Sequence, residues 1–256
     1  MLPHDIIPYM ILVANCLLFR FSRRLLRFCP RTLRPFFSEI IATVELCSDC
    51  AELGVIWEKH GNTGYGSCLL LLCIWWAYHF GDAEACPCGP LEEFLLLGVR
   101  NDYTMYLRLL GQGVGAYLTA KYTHCIWCLN LAPEHMDLHT QRCQASLQVN
   151  MALGAAIELA ITFISRIVAL ESTILPEKLN VAINSLTTTL LCLIALDTSG
   201  GYFNPVLASA LTLNCDGNTL VEHIVVYWLG AMIGALLARY MSLWIHGQLA
   251  PREKLE

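Results

Sequence analysis

Two short segments place a proline directly behind a side chain that can meet an approaching molecule. Cys86-Pro87-Cys88 stands ahead of the apolar run 88–97, and Asn204-Pro205-Val206 opens the run 204–213. Proline is favoured in the first turn of a helix, and a helix N-terminus carries free N–H groups and about half a positive elementary charge. A side chain at such a tip therefore sits beside a fixed positive pole. The amide of Asn204 offers two donors and an acceptor oxygen, whereas the thiol of Cys86 is a weak donor and a weak acceptor. Two carboxylates, Glu39 and Glu158, lie in apolar stretches 47 and 46 residues before the tips. A buried carboxylate is costly unless it is bonded, so both are expected to accept bonds from the exposed backbone donors that lead into the tips. This is the chemistry of orienting a small polar molecule and repelling cations, with no bond made or broken.

Other reactive patterns are weaker. Cys125-x2-Cys128 followed by His135-x3-His139 has the ligand types and pair spacings of a zinc site, but the gap between the pairs is shorter than in a finger. Cys47-Ser48-Asp49-Cys50 reads as CxxC, yet it lies in an apolar helical stretch without the strand pattern of a thioredoxin-like fold. No phosphate-binding glycine loop, nucleophile elbow or H-E-x-x-H helix is present, so the sequence calls for no enzyme, cofactor or metal. Glu45, Asp49 and Glu52 share one helical face, where they either line a vestibule or face water at a frayed helix end.

The elements that must hold the tips are membrane elements. The 256 residues are 56 % hydrophobic and 14 % charged, and a mean hydropathy of +0.52 leaves too little polar surface for a water-soluble globule. The net charge is −5 and the arginines concentrate in one short stretch, which excludes a nucleic-acid-binding face. Most of the thirteen cysteines, such as Cys68 and Cys73, sit in apolar runs and are read as small buried hydrophobes. Apolar stretches of spanning length lie near 5–22, 36–57, 66–80, 103–122, 149–170, 178–196 and 220–246, against the roughly 20 residues that a bilayer requires. The runs 88–97 and 204–213 are half as long and are read as re-entrant half-helices, tolerated at membrane depth only around protein or a water-filled cavity.

Arg20, Arg23, Arg24, Arg27, Arg31 and Arg34 place the first connection in the cytoplasm, which puts the N-terminus outside it. Alternation then brings Arg100, Lys178, Arg252 and Lys254 inside and Lys59, Lys121 and Arg142 outside. The first span, with Asp5 before it and arginines after it, reads as a reverse signal-anchor that stays attached.

An internal duplication ties these features together. Glu39 to Glu158, Gly111 to Gly230 and Gly115 to Gly234 are each 119 residues apart, and Cys86 to Asn204 is 118. Each half carries a glutamate on its first helix, a half-helix start, and a GxxxG on its last helix for close packing. Three spans per half is an odd number, so the second copy inserts inverted. The expected architecture is all-α and polytopic. Residues 1–35 form an extra N-terminal hydrophobic helix and an arginine-rich loop, and 36–246 a six-span inverted repeat with two half-helices (36–122 and 149–246). A cytoplasmic tail, 247–256, follows.

The segment Gly200 to Ala210, GGYFNPVLASA, resembles the second signature loop of the aquaporin (major intrinsic protein) superfamily, whose consensus triplet is Asn-Pro-Ala. SEIIATVELC, NPVLASALTLNC and GNTLVEHIVVYWLG are similar to the unorthodox, or superaquaporin, branch that contains aquaporins eleven and twelve, with Cys215 nine residues beyond Val206 as in that branch. The resemblance covers about 36–246 and implies a passive pore for water and small neutral solutes such as glycerol or hydrogen peroxide. It further implies a homotetramer, an intracellular membrane such as the endoplasmic reticulum, and a role for Cys215 in assembly or conduction. Position suggests that Cys215 packs its loop back onto the bundle. Where conventional members have a filter arginine three residues after the second asparagine, this chain has Leu207, and carrying over the other filter positions by spacing gives Gly66, Cys192 and Gly201. All three are small, so the expected mouth is wide and apolar. A non-conducting membrane scaffold and a secondary transporter built on inverted repeats are the alternatives.

Overall fold

The computed structural model describes residues 4–96 and 103–247. Arg100, Arg252, Lys254, the end of the run 88–97 and nearly all of the expected tail lie outside them. The described chain is helical: α1 (Ile7–Leu25), α2 (Arg34–His79), α3 (Cys88–Leu96), α4 (Tyr103–Trp127), the short α5 (Pro133–Thr140), α6 (Met151–Glu171), α7 (Glu177–Ala195), α8 (Pro205–Thr212), α9 (Leu220–His223) and α10 (Ala231–Ile245). A π-helical turn, Ile224–Gly230, fuses α9 and α10 into one rod. Its start is set by a capping box in which Thr219 and Glu222 bond each other's backbone N–H.

The stretches 36–57 and 66–80 form one hairpin without a loop. α2 is 46 residues long but breaks at Gly61, whose φ of 59° and ψ of −160° suit glycine and few other residues. The two rods return antiparallel, so that Trp75 donates to Glu45 at 2.9 Å and Trp57 to Asn62 at 2.8 Å.

Three helical stretches, Met151–Ile174, Glu177–Ala195 and Leu220–Ile245, are long and apolar enough to cross a membrane. The other long helices are more polar, and much of that polarity faces inward: Glu39, Glu45, Asp49 and Glu52 on α2 and Gln112 on α4 are at most 2 % exposed. Outward positions are apolar instead, as with Leu71, Ile194 and Trp244, each at least 65 % exposed. Large apolar side chains on the outside and polar ones within are the arrangement lipid demands.

The duplication is visible in the packing. A Cβ on Gly111 would lie 2.5 Å from the Phe36 carbonyl, and one on Gly230 would lie 2.9 Å from that of Ala155. Gly115 sits against Thr43 and Ile40, while Gly234 sits against Thr162 and Leu159. Every partner pair keeps the 119-residue shift, so the first and last long helices of each half cross at the same place. The short helices are exchanged: α3 packs on α10, and α8 on α4.

α1 stands outside this duplication and is fastened by polar bonds. Asn15, 2 % exposed, donates to Asp49 at 2.9 Å and accepts from Tyr122 at 2.7 Å, and Arg23 pairs with Glu45. Glu52 accepts from Trp127 and bonds His135, both at 3.1 Å. The acidic face of α2 thus neither lines a vestibule nor faces bulk water. It is buried against α1, α4 and α5, because each carboxylate has a specific donor there.

Candidate functional site

Each tip is built by the carboxylate of its own half. Glu39 accepts from the N–H of Glu84 (3.1 Å) and Ala85 (2.9 Å) and from the Gln112 amide (3.1 Å). Glu158 accepts from the Ser199 hydroxyl (2.6 Å) and the N–H of Tyr202 (3.2 Å) and Phe203 (2.6 Å). The residue directly before each tip, Ala85 (φ 50°) or Phe203 (φ 31°), has a positive φ that non-glycine residues seldom adopt. The two carboxylates hold these turns by satisfying N–H groups that no helix reaches.

The tips meet. Asn204 donates from Nδ2 to the Ala85 carbonyl at 2.8 Å, and its Oδ1 accepts from the N–H of Val206 (3.1 Å) and Leu207 (3.3 Å), which caps α8. One amide hydrogen is thereby committed, and the other has no partner among the described residues. On the first side Cys86 occupies the tip, and its carbonyl accepts from Gln112 at 3.1 Å.

Asn204 borders a cavity of about 460 Å³. α2 contributes Leu46, Cys50, Tyr65 and Leu69 to its wall, α7 contributes Cys192 and the residue after its end, Leu196, and the segment Gly200 to Phe203 leads on to Leu207 and Leu211 of α8. Of the residues expected at the filter, Cys192, Gly201 and Leu207 line this space. Gly66 does not: one helical step carries it away from the cavity, and a Cβ there would lie 2.9 Å from Leu193. Its neighbour Tyr65 faces inward instead, and its hydroxyl lies 3.2 Å from the Cys192 sulfur. Tyr65 thus adds an aromatic ring and a hydroxyl to the wall that Cys192, Gly201 and Leu207 share. Gly201 is needed as glycine, with φ of 62° and only 2.9 Å from a built Cβ to the Cys192 carbonyl.

Cys215 is not a free packing thiol. It forms a disulfide with Cys143 across 72 residues, reinforced by backbone bonds from Asp216 N–H to the Cys143 carbonyl (2.9 Å) and from Ala145 N–H to the Asp216 carbonyl (2.8 Å). The loop after α8 is thus tied to the segment before α6. The zinc-like group does not assemble. Cys125 and Cys128 are exposed, while buried His135 is held by Glu52 and by the Ala132 N–H. Cys47 and Cys50 are both free.

No family model matches the chain. It is 30 % identical over 217 residues to aquaporin-12 of Mus musculus, which covers 81 % of this chain and 74 % of that one. The chain belongs to the aquaporin family. Aquaporin-11 of Milnesium tardigradum is 28 % identical over 201 residues, covering 78 % and 72 % of the two chains. Aquaporin-11 of Homo sapiens is 26 % identical over 219 residues, covering 82 % and 80 %. These relatives agree with the unorthodox branch, and this aquaporin is an integral membrane protein of a family of channels, not of enzymes.

Sequence reasoning missed several parts of the aquaporin's site. Tyr65 was hidden by carrying filter positions over by spacing alone. The ion pair of Glu92 on α3 with Arg166 on α6, bidentate with Nε and Nη2 each 2.7 Å from a carboxylate oxygen, breaks the repeat and has no partner at the 119-residue shift. The disulfide did leave a signal, because Cys143 and Cys215 lie in polar connections that the alternation of spans assigns to one side of the membrane.

Proposed function

We propose that this aquaporin conducts water and small neutral solutes such as glycerol and hydrogen peroxide through the cavity that Asn204 borders. In this reading six spans and two half-helices form an inverted repeat, α1 is an additional span, and the chain assembles as a homotetramer in an intracellular membrane, with the endoplasmic reticulum as the first place to look. The observation that carries the reading is Asn204: a helix-tip amide with one hydrogen bonded to Ala85 and the other without a partner among the described residues, on a cavity whose wall is otherwise mostly apolar. A permeant gives its oxygen to that donor, and the helix poles on both sides orient it and oppose cations. Tyr65, Cys192, Gly201 and Leu207 set the width of the path. Glu39 and Glu158 hold the loops, and the Cys143–Cys215 disulfide holds the outer one.

The test is stopped-flow light scattering on proteoliposomes, first with an impermeant osmolyte and then with glycerol. The reading requires faster water exit than from empty vesicles, with a low activation energy. Equal rates would favour a non-conducting scaffold, and saturable, ion-coupled uptake would favour a transporter.

A further inference from the structure

At the opposite end of α1 from Asp5, a second cavity of about 500 Å³ opens between the end of α1, the start of α2 and the turn after His79. Four arginines line it: Arg23, Arg31, Arg34 and Arg108. Two are already oriented. Arg34 gives Nε and Nη2 to the carbonyls of Cys29 (3.2 Å) and Arg27 (3.3 Å), and Arg108 gives Nη1 to Glu84 at 3.2 Å. Arg31 is exposed and has no bonded partner among the described residues. Arg23 is the most informative. Its side chain is 11 % exposed, Nη2 pairs with Glu45 and the guanidinium lies 4.8 Å from the centroid of the Phe80 ring, while Nε and Nη1 are buried with no hydrogen-bond acceptor among the described residues. Buried donors without partners are uncommon in native proteins, and several guanidinium groups around one space match the oxygens of a phosphate.

The acidic groups around this cavity offset part of its charge: Glu45 pairs with Arg23 and Glu84 with Arg108, which leaves Arg31 and Arg34 without a carboxylate partner among the described residues. Glu39 is fully engaged by backbone N–H groups and Gln112, Glu84 is spent on Arg108, and Asp82 alone is left among the lining carboxylates. The surrounding surface indicates where the anion comes from. Leu25 (49 % exposed), Phe28 (73 %) and Phe37 (40 %) alternate with Arg24, Arg27 and Arg31 along the same segment. Apolar side chains that dip into lipid beside cations at headgroup level are the signature of an interfacial segment.

We propose that this cavity binds the phosphorylated headgroup of an anionic membrane lipid. Its floor is the turn 81–83, which runs directly into Glu84 and Ala85, so the bound phosphate lies against the loop that sets the first tip.

The test uses the purified full chain in a neutral detergent, with Tm followed as dioctanoyl phosphatidylinositol 4,5-bisphosphate is added. Dioctanoyl phosphatidylcholine, inorganic phosphate and soluble inositol trisphosphate serve as separate arms. The expected result is a saturable rise in Tm with the phosphorylated lipid only, with apparent affinity weakened about tenfold in Arg31→Gln/Arg34→Gln and unchanged in the distant Arg142→Gln. If the double variant does not fold, Arg31→Gln alone carries the test, since it removes no bond within the described structure. No saturable rise, or the same affinity in the Arg31 variants as in the parent, overturns the proposal. Inositol trisphosphate acting as well as the lipid assigns the site to a soluble phosphate and overturns the lipid reading.

Discussion

The two halves share a scaffold and differ at the tip. Glu39 and Glu158 perform one task on equivalent backbone, Ala85 and Phe203 adopt the same unusual φ, and four glycines make the same helix crossings. Yet one tip presents Cys86 and the other Asn204. The scaffold answers to backbone donors that lipid cannot satisfy, and that demand is identical in both copies. The tip side chain is not bound by that shared demand, so it is free to diverge. Supporting residues should therefore have large effects in both halves, while tip residues should act in one half only.

Glu158→Ala is the most damaging change expected. It strands the Ser199 hydroxyl and the N–H groups of Tyr202 and Phe203, a loss on the order of 5 kcal/mol at about 1–3 kcal/mol per orphaned buried group. Glu39→Ala should fall close behind. Fluorescence-detected size exclusion will show little monodisperse protein for either, and a normal peak for one of them would end the equivalence of the halves.

The disulfide has no counterpart in the first half, and it ties Cys215 of the second half to Cys143 in the connection between the two. Cys143→Ser should cost about 2–4 kcal/mol, and reductant should lower the Tm of the parent to the same level. Cys68→Ser, which removes a free thiol, should leave Tm almost unchanged. A Tm for Cys143→Ser that matches the parent would mean that the backbone bonds around Asp216 hold the loop by themselves.

The glycines sharpen the comparison within one helix. Gly115→Val drives a side chain into Thr43 and the Ile40 carbonyl and should cost about 1–3 kcal/mol, whereas Gly113 has nothing within 4 Å, so Gly113→Ala should be neutral or stabilising by about 0.5–1 kcal/mol. Thermal unfolding in detergent separates the two. Equal losses would place the crossing elsewhere.

The parts of this design that repeat were legible in the sequence, because a 119-residue shift is arithmetic and a buried glutamate in an apolar run calls for donors. The tips followed from proline and helix polarity. What does not repeat was hard to read. Tyr65 and Gly66 differ by one helical step, which spacing cannot resolve without the phase of α2. The acids Glu45, Asp49 and Glu52 looked like a water-facing stripe because their donors Asn15, Arg23, Trp127 and His135 come from distant segments. Cys143–Cys215 was obscured by the number of cysteines in apolar runs, although only its two members share a non-cytoplasmic assignment with polar neighbours on both sides.

At the tips the halves should part. Asn204→Ala removes the amide donor and the cap on α8, so water permeability should drop about tenfold with a stability loss of about 1 kcal/mol. Cys86→Ala removes only a weak donor and should change permeability by less than about twofold. Stopped-flow rates normalised to protein content decide this. If the two variants fall equally, the tips contribute alike and their divergence has no functional meaning.

The smallest effect is one of selectivity, and it follows from what the second tip lacks. Leu207 faces the cavity opposite a wall of Tyr65, Cys192 and Gly201 and supplies neither charge nor a hydrogen bond. An apolar surface there lowers the penalty for passing a solute's carbon face, which favours glycerol over the ratio expected for a filter with a guanidinium. Leu207→Arg would fill part of the space and add donors that water uses better than glycerol does. The backbone N–H of residue 207 keeps its bond to Asn204 Oδ1 in the variant, so the cap on α8 is preserved and any change reports the side chain. Glycerol flux should fall by about three- to tenfold and water flux by less than about threefold. Equal loss of both, or no glycerol flux in the parent, would show that residue 207 does not set the filter and would move attention to Tyr65, whose hydroxyl lies 3.2 Å from the Cys192 sulfur in the wall of the same cavity.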